Sequence, residues 1–272
     1  MPQIYLEETS DFFIEKALYK EPMAITHYHD AYELYYLFKG EREYFIGDAF
    51  YRVKEGDTVL IPPGVLHRTA GKGATRYLVY FSEGFLRRFF TEETLRFLTS
   101  DRPAIFRTDE KVRIRLEEQL ENLLTAYGDA GKDDRNLAIR LSGELYHLLF
   151  TVTTAQNEYH ADVYSDGRIG EIIRYINENY NRIESIEDIA ARFFISKYHL
   201  CRIFSKNLGL SLIAYLNTIK IRAACEAMRS ETASLTDIAT ACGFNSSSYF
   251  CKVFKSEKGI TPAAYRRSLK KK

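Results

Sequence analysis

A short pattern occurs twice in the C-terminal part of the chain, and a pattern repeated within one chain is normally folded the same way twice. Ser185-Ile186-Glu187-Asp188-Ile189-Ala190 returns as Ser234-Leu235-Thr236-Asp237-Ile238-Ala239. Further on, Leu200, Arg202, Ile203, Phe204 and Gly209 return as Phe250, Lys252, Val253, Phe254 and Gly259. The offset grows from 49 (185 to 234) to 50 (200 to 250), so the second copy carries one inserted residue. Each copy predicts helix, tight turn, helix. Ser185 and Ser234 are N-cap candidates with an acid three residues on, which resembles a capping box and sets negative charge at the positive end of the helix dipole. Ile189-Ala190 and Ile238-Ala239 give apolar faces small enough for a second helix to cross closely. Ser196 and Asn245 are the expected N-caps of those second helices. Their outer faces carry Lys197, Tyr198, His199, Arg202 and Lys206 in the first unit, and Ser246, Ser247, Ser248, Lys252 and Lys255 in the second. The first unit has Phe194 where the second has Gly243, so its turn is made without the residue that takes positive φ most cheaply.

Between the copies, residues 212 to 229 place Leu212, Tyr215, Leu216, Ile219, Ala223 and Met228 at near-helical spacing. A helix over that stretch spans roughly 27 Å at about 1.5 Å per residue, close to the roughly 34 Å that separates successive major-groove faces.

Charge divides the chain in two. Residues 1 to 164 hold 20 Lys+Arg against 27 Asp+Glu, or −7, and residues 165 to 272 hold 18 against 10, or +8, which sum to the overall +1. A basic module joined to an acidic one fits a polyanion binder carrying a separate sensor. The length, 272 residues with 46% apolar composition, allows two cores. The N-terminus lacks a basic start and apolar run, and no stretch approaches a membrane span, which predicts a cytoplasmic protein with no membrane partner. Cys201, Cys225, Cys242 and Cys251 have no zinc-finger spacing and read as buried reduced thiols.

Over residues 169 to 267 the chain resembles the AraC/XylS family of transcription regulators. Ile219-Lys220-Ile221-Arg222-Ala223-Ala224 matches its linker-helix pattern. Gly243-Phe244-Asn245, Ser248-Tyr249-Phe250, Phe254-Lys255, Gly259-Ile260-Thr261-Pro262 and Tyr265-Arg266 match its C-terminal signature. The resemblance implies two helix-turn-helix units joined by a long helix, with Tyr198, His199 and Arg202 in the first unit and Ser246, Ser247 and Lys252 in the second reading bases. It also implies double-stranded DNA and RNA polymerase as partners, activation as the family tendency, and a homodimer.

In the acidic half, Tyr32 to Phe38, Tyr44 to Ile46, Tyr51 to Val53, Thr58 to Ile61 and Tyr77 to Phe81 are short β runs separated by glycine turns, a pattern suited to a jelly roll or small barrel. His27-x-His29-x3-Glu33-x6-Gly40 and Gly56-x5-Pro62-x-Gly64-x2-His67 resemble the two cupin motifs, although the second ends in Gly71 where metal cupins usually have Asn. His27, His29 and Glu33 share one strand parity, so with His67 they are expected to converge in the barrel interior beside Tyr35 and Tyr44. That pocket suits a small-molecule effector, a sugar or related metabolite. The same four residues would suit a divalent transition metal.

The fold expected is α+β in two domains: a cupin-like jelly-roll barrel (1–108) with a helical hairpin (109–155), a linker (156–166), and an all-α domain with two helix-turn-helix units (167–272). The hairpin carries Val112, Leu116, Leu120, Leu123, Leu124 and Tyr127, then Leu137, Leu141, Leu145, Leu148, Leu149 and Val152, stripes that would pack on the barrel or pair two subunits. The function expected is a ligand-controlled DNA-binding regulator without enzymatic activity; the alternative is a metal-binding cupin, sensor or enzyme, fused to a DNA-binding domain.

Overall fold

In the computed structural model the described residues are 11–19, 25–71, 73–99, 102–128, 136–155, 167–230 and 233–269. The expected linker 156–166 and the hairpin loop 129–134 lie outside them. Residue contacts group the chain into two compact units, a β-rich one built on residues 28–164 with the first strand, and a helical one built on residues 165–272.

The β-rich unit is a stack of three layers. Strands β1 (Phe12–Tyr19), β2 (Ala31–Lys39), β5 (Asp57–Ile61), β7 (Ala74–Ser82) and β8 (Ala104–Arg107) form a sheet in the order β1-β7-β2-β5-β8, while β3 (Glu41–Ile46), β4 (Ala49–Lys54) and β6 (His67–Ala70) form a second, ordered β4-β3-β6. The expected α+β jelly roll is present, with its strands divided into two hydrogen-bonded ladders that do not close into one continuous barrel. Strand parity explains the layering. In β2, Tyr35 and Leu37 point into the core shared with Tyr44 and Ile46 of β3, whereas Leu34 and Tyr36 point the other way, onto helices. A strand buried on both faces reads as a near-continuous apolar run, which is why Tyr32 to Phe38 alternates so little.

The outer face of the large sheet is covered by α1 (Glu83–Phe89), α2 (Glu92–Leu98), α3 (Glu110–Gly128) and α4 (Leu137–Thr154). Leu116, Leu120 and Leu123 of α3 and Leu141, Leu145, Leu148, Leu149 and Val152 of α4 are buried there with Phe12, Leu34, Val79 and Phe81. The leucine stripes are therefore spent within the chain. Packing on the sheet is thus the role the stripes play within the chain, while Ile114, Ile139 and Phe150 of the same two helices stay exposed. β1, β8, α1 and α2 are elements the sequence reading did not include.

The helical unit comprises α5 (Gly167–Asn179), α6 (Ile186–Arg192), α7 (Lys197–Leu208), α8 (Leu212–Ser230), α9 (Leu235–Ala241), α10 (Ser247–Lys258) and α11 (Pro262–Leu269). The duplicated pattern gives duplicated geometry. Ser185 accepts from the Asp188 amide while the Asp188 carboxylate accepts from the Ser185 amide, completing the capping box, and Ser234 accepts from the Asp237 amide. α7 and α10 are both 12 residues long and end on left-handed glycines, Gly209 and Gly259. One expectation is corrected: α10 is capped by Ser246, whose side chain accepts from the Tyr249 amide, not by Asn245. The inserted residue thus lies in the turn, ahead of the cap. Among the described residues no disulfide forms; Cys225 and Cys242 are buried as expected, whereas Cys201 is half-buried and Cys251 is exposed, which corrects the expectation for those two.

Candidate functional site

The second helix of each repeat buries one face and exposes the other. Leu200, Phe204 and Leu208 of α7, and Phe250 and Phe254 of α10, are buried. On the opposite faces Lys197, Tyr198, Arg202 and Lys206, and then Ser247, Ser248, Lys252 and Lys255, are exposed. The local roles of the expected readers differ. His199 is half-buried, with the Arg202 guanidinium 3.4 Å from its ring. Lys197 pairs with Glu187 at 2.6 Å, and that contact raises the lysine pKa and lowers that of the glutamate. Ser246 spends its side-chain oxygen on the cap, so it is the weakest of the expected base readers.

Two residues that the sequence reading passed over hold the repeat units in register. Lys220 is 6% exposed and donates from Nζ to the Gly243 carbonyl at 2.6 Å and the Ile183 carbonyl at 3.4 Å, which ties α8 to both halves of the domain; its burial lowers its pKa. Tyr249 accepts from Asn217 of α8 at 2.9 Å. A lysine in the middle of an otherwise apolar helix stripe was the available signal for the first.

His27, His29, Glu33 and His67 converge: all are buried and offer ligand atoms within 4.8 Å of one another. The route differs from the one expected. Only Glu33 lies in β2 and only His67 opens β6; His29 precedes β2, held by Gly64, whose amide donates to the His29 carbonyl at 2.8 Å. The Pro62-Pro63-Gly64 turn is thus stitched to the segment that leads into β2. Each imidazole donates from Nδ1 to a main-chain carbonyl, His27 to Ile25 at 3.2 Å, His29 to Ala31 at 2.9 Å and His67 to Val65 at 2.8 Å. This leaves Nε2 as the inward-facing nitrogen of all three rings. Oε2 of Glu33 lies 3.2 Å from Nε2 of both His29 and His67, and Oε1 accepts from the Tyr44 hydroxyl at 2.7 Å. Burial favours the neutral acid at Glu33, but the His67 charge and hydrogen bonds from the two imidazoles outweigh it and hold the carboxyl well below its ordinary value. Burial likewise opposes the His67 cation, and Glu33 outweighs it, so His67 titrates above its ordinary value.

Tyr35 and Tyr44 meet edge to face at 5.3 Å on the same interior face. Beside them stand two residues that no sequence motif marks. Arg42 and Arg76 are 2% and 6% exposed and share the inward parity of Tyr44 and Leu78, with the Arg76 guanidinium 5.6 Å from the Tyr35 ring. Burial, opposed by both arginines, pushes the Tyr35 hydroxyl up to about 12. Arg76 pairs with Glu15 at 3.1 Å and Arg42 donates to the Gly71 carbonyl at 2.6 Å. A separate groove of about 490 Å³ beside α1 and α2 is lined by Arg87, which is ion-paired to Glu83 and Glu92.

A family model described as an AraC-like ligand binding domain matches residues 18–149, and one described as a helix-turn-helix domain matches residues 189–268. The transcriptional activator RhaR of Mannheimia succiniciproducens is 21% identical over 273 residues, covering 98% of this chain and 96% of that protein. The regulatory protein PocR of Salmonella typhimurium is 32% identical over 104 residues, which span 38% of this chain and only 34% of PocR. The crystal structure of ToxT from Vibrio cholerae aligns over 95% of this chain and 98% of its own at 16% identity and a TM-score of 0.37.

Proposed function

Because the chain belongs to the AraC family of DNA-binding transcription regulators with a ligand-binding domain, we propose that it reads its sites with the exposed faces of α7 and α10 and is controlled by a small molecule held between the two sheets. The observation that carries this reading is the duplicated frame itself: two 12-residue helices, capped alike and ended alike, each presenting cations and short polar groups opposite a buried stripe. Side chains so arranged reach phosphates and base edges together. Arg202 and Lys252, equivalent in the two copies, are the proposed base readers, with Tyr198, Ser247 and Ser248 beside them and Lys206 and Lys255 set for phosphate. Arg202→Ala is expected to weaken a duplex enriched from a randomised pool by about 1–3 kcal/mol and to relax its sequence preference at one position; equal binding of every duplex by mutant and wild type would place Arg202 off the interface.

The effector we assign is a sugar or related metabolite, taken by Tyr35, Tyr44 and the polar cluster around Glu33, and its binding alters occupancy of DNA by a cytoplasmic homodimer that works on RNA polymerase as an activator. A thermal-shift screen against sugars and sugar derivatives tests the first part, and Tyr44→Phe should abolish any shift found. A second reading is favoured by the three pinned imidazoles. With Nδ1 committed to the backbone, each Nε2 is left to a proton or a cation, and three imidazoles with one carboxylate form a donor set that fits Zn, Fe, Mn or Ni. Such an ion would act as the signal, or would anchor an oxygen of the organic effector. Metal analysis of the purified protein separates the readings: a stoichiometric ion lost on His67→Ala supports the second, and its absence from wild type removes it.

A further inference from the structure

Phe194, in the turn before α7, is both strained and unburied. Its φ is 53°, and it is the one non-glycine residue with positive φ among the described residues. It is also 93% exposed, the highest among the exposed large apolar side chains. Left-handed backbone is costly for a residue with a Cβ, and a phenyl ring in water forgoes the gain of burial. Glycine would avoid both costs, and the repeat shows it doing so.

The two turns are superposable in their hydrogen bonds: the amides of Phe194 and Ile195 donate to Ala191 and Ala190, as those of Gly243 and Phe244 donate to Thr240 and Ala239. At Gly243 the choice is forced, because an added Cβ would stand 2.6 Å from the Asn181 carbonyl oxygen. At Phe194 the turn is open, so the local fold demands neither a side chain nor this one. The neighbouring ring, Phe193, is the one that packs inward, against Tyr175 at 5.6 Å. A residue kept in a strained and exposed state points to an external contact.

Its position indicates which. Phe194 lies two residues before Ser196, the cap of α7, and four before Tyr198, which is 79% exposed. Two unburied rings therefore flank the start of a helix whose outer face carries Arg202 and Lys206. Cations beside bare aromatic surface suit a duplex, where phosphates take the charge and thymine methyl groups take the rings. We propose that Phe194 is a specificity-determining residue that packs against a thymine methyl group at the edge of the half-site read by α7. The inference rests on α7 being a DNA reader, and its test separates the two.

The full-length protein is used to enrich duplexes from a randomised pool, and wild type, Phe194→Gly, Phe194→Asn and Arg202→Ala are compared on the enriched duplex. Phe194→Gly should melt at or above the wild-type temperature, since the strain is relieved, yet bind about tenfold or more weakly with an unchanged salt slope. Phe194→Asn, which tolerates the left-handed turn, should behave likewise. Replacing thymines one at a time by deoxyuridine should find a position whose methyl matters to wild type and not to either Phe194 variant. Wild-type affinity in both variants, or a loss indifferent to every methyl, overturns the proposal. So does intact DNA binding with lost transcription from a reporter, which would assign the ring to a protein partner. If Arg202→Ala weakens binding while the Phe194 variants do not, the reader assignment stands and this inference alone falls; if no duplex enriches, both fall.

Discussion

Glu33 and His67 face each other at 3.2 Å with side chains 3% and 2% exposed, so solvent screens their interaction little. Glu33 titrates well below its ordinary 4.5, and a carboxylate shifted that way stabilises the fold fully above 4.5 and progressively less as pH falls toward its folded value. His67 titrates above its ordinary 6.5, so its contribution is complete below 6.5 and is lost as pH rises through its folded value. The two windows overlap between pH 4.5 and 6.5, where melting in the presence of a chelator should be highest. In Glu33→Gln the partner charge is gone, and both the acid and alkaline losses should flatten. A profile that Glu33→Gln leaves untouched would show that the two groups do not form a charged pair. At the same scale, His27, His29, Glu33 and His67 were legible because their spacing resembles the two cupin motifs. Arg42 and Arg76 were not, since a lone arginine in a strand ordinarily faces water, and only the pairing of β3 and β7 with their neighbours turns these two inward.

The α3–α4 hairpin shows the limit of periodicity at the scale of elements. The leucine spacing predicted two amphipathic helices, and both are present. What the stripes pack against is a question of long-range contact, and the large sheet takes them. Leu145, fully buried between α4 and the sheet, should therefore behave as a core residue: Leu145→Ala is expected to lower stability by about 2–5 kcal/mol in chemical denaturation and to leave the sedimentation coefficient of the folded protein unchanged. A variant that stays stable but changes its oligomeric state would return the stripe to a subunit interface. The helix-turn-helix elements were far more legible. Their caps, turns and terminal glycines are local, and repetition supplied an internal check. Even there, one inserted residue moved the second cap from Asn245 to Ser246, because caps are chosen by φ and ψ as well as by side-chain type.

For the whole molecule, net charge is a poor guide to partner. The +1 of the chain would suggest indifference to polyanions, but the +8 of residues 165 to 272 should control the encounter with DNA. Affinity of the full-length protein is accordingly expected to fall steeply with salt, with a logarithmic slope of about −0.9 for each phosphate neutralised. Lys206→Ala and Lys255→Ala should each reduce that slope by about 1 and weaken all duplexes alike. A shallow slope that these substitutions do not alter would mean the cations of α7 and α10 face away from the phosphates. What the sequence determined by itself was whatever is encoded at short range or by repetition: the duplicated capped helices, the division of charge, the residue types of the interior cluster and hence the family. Only the tertiary structure decided that the strands form two sheets rather than a closed barrel, that the leucine stripes are consumed internally, that Arg42 and Arg76 are buried, and that Phe194 stands in the open where its counterpart Gly243 is pressed against Asn181. Each of these depends on which distant segment lies against which, and no local period or motif carries that information.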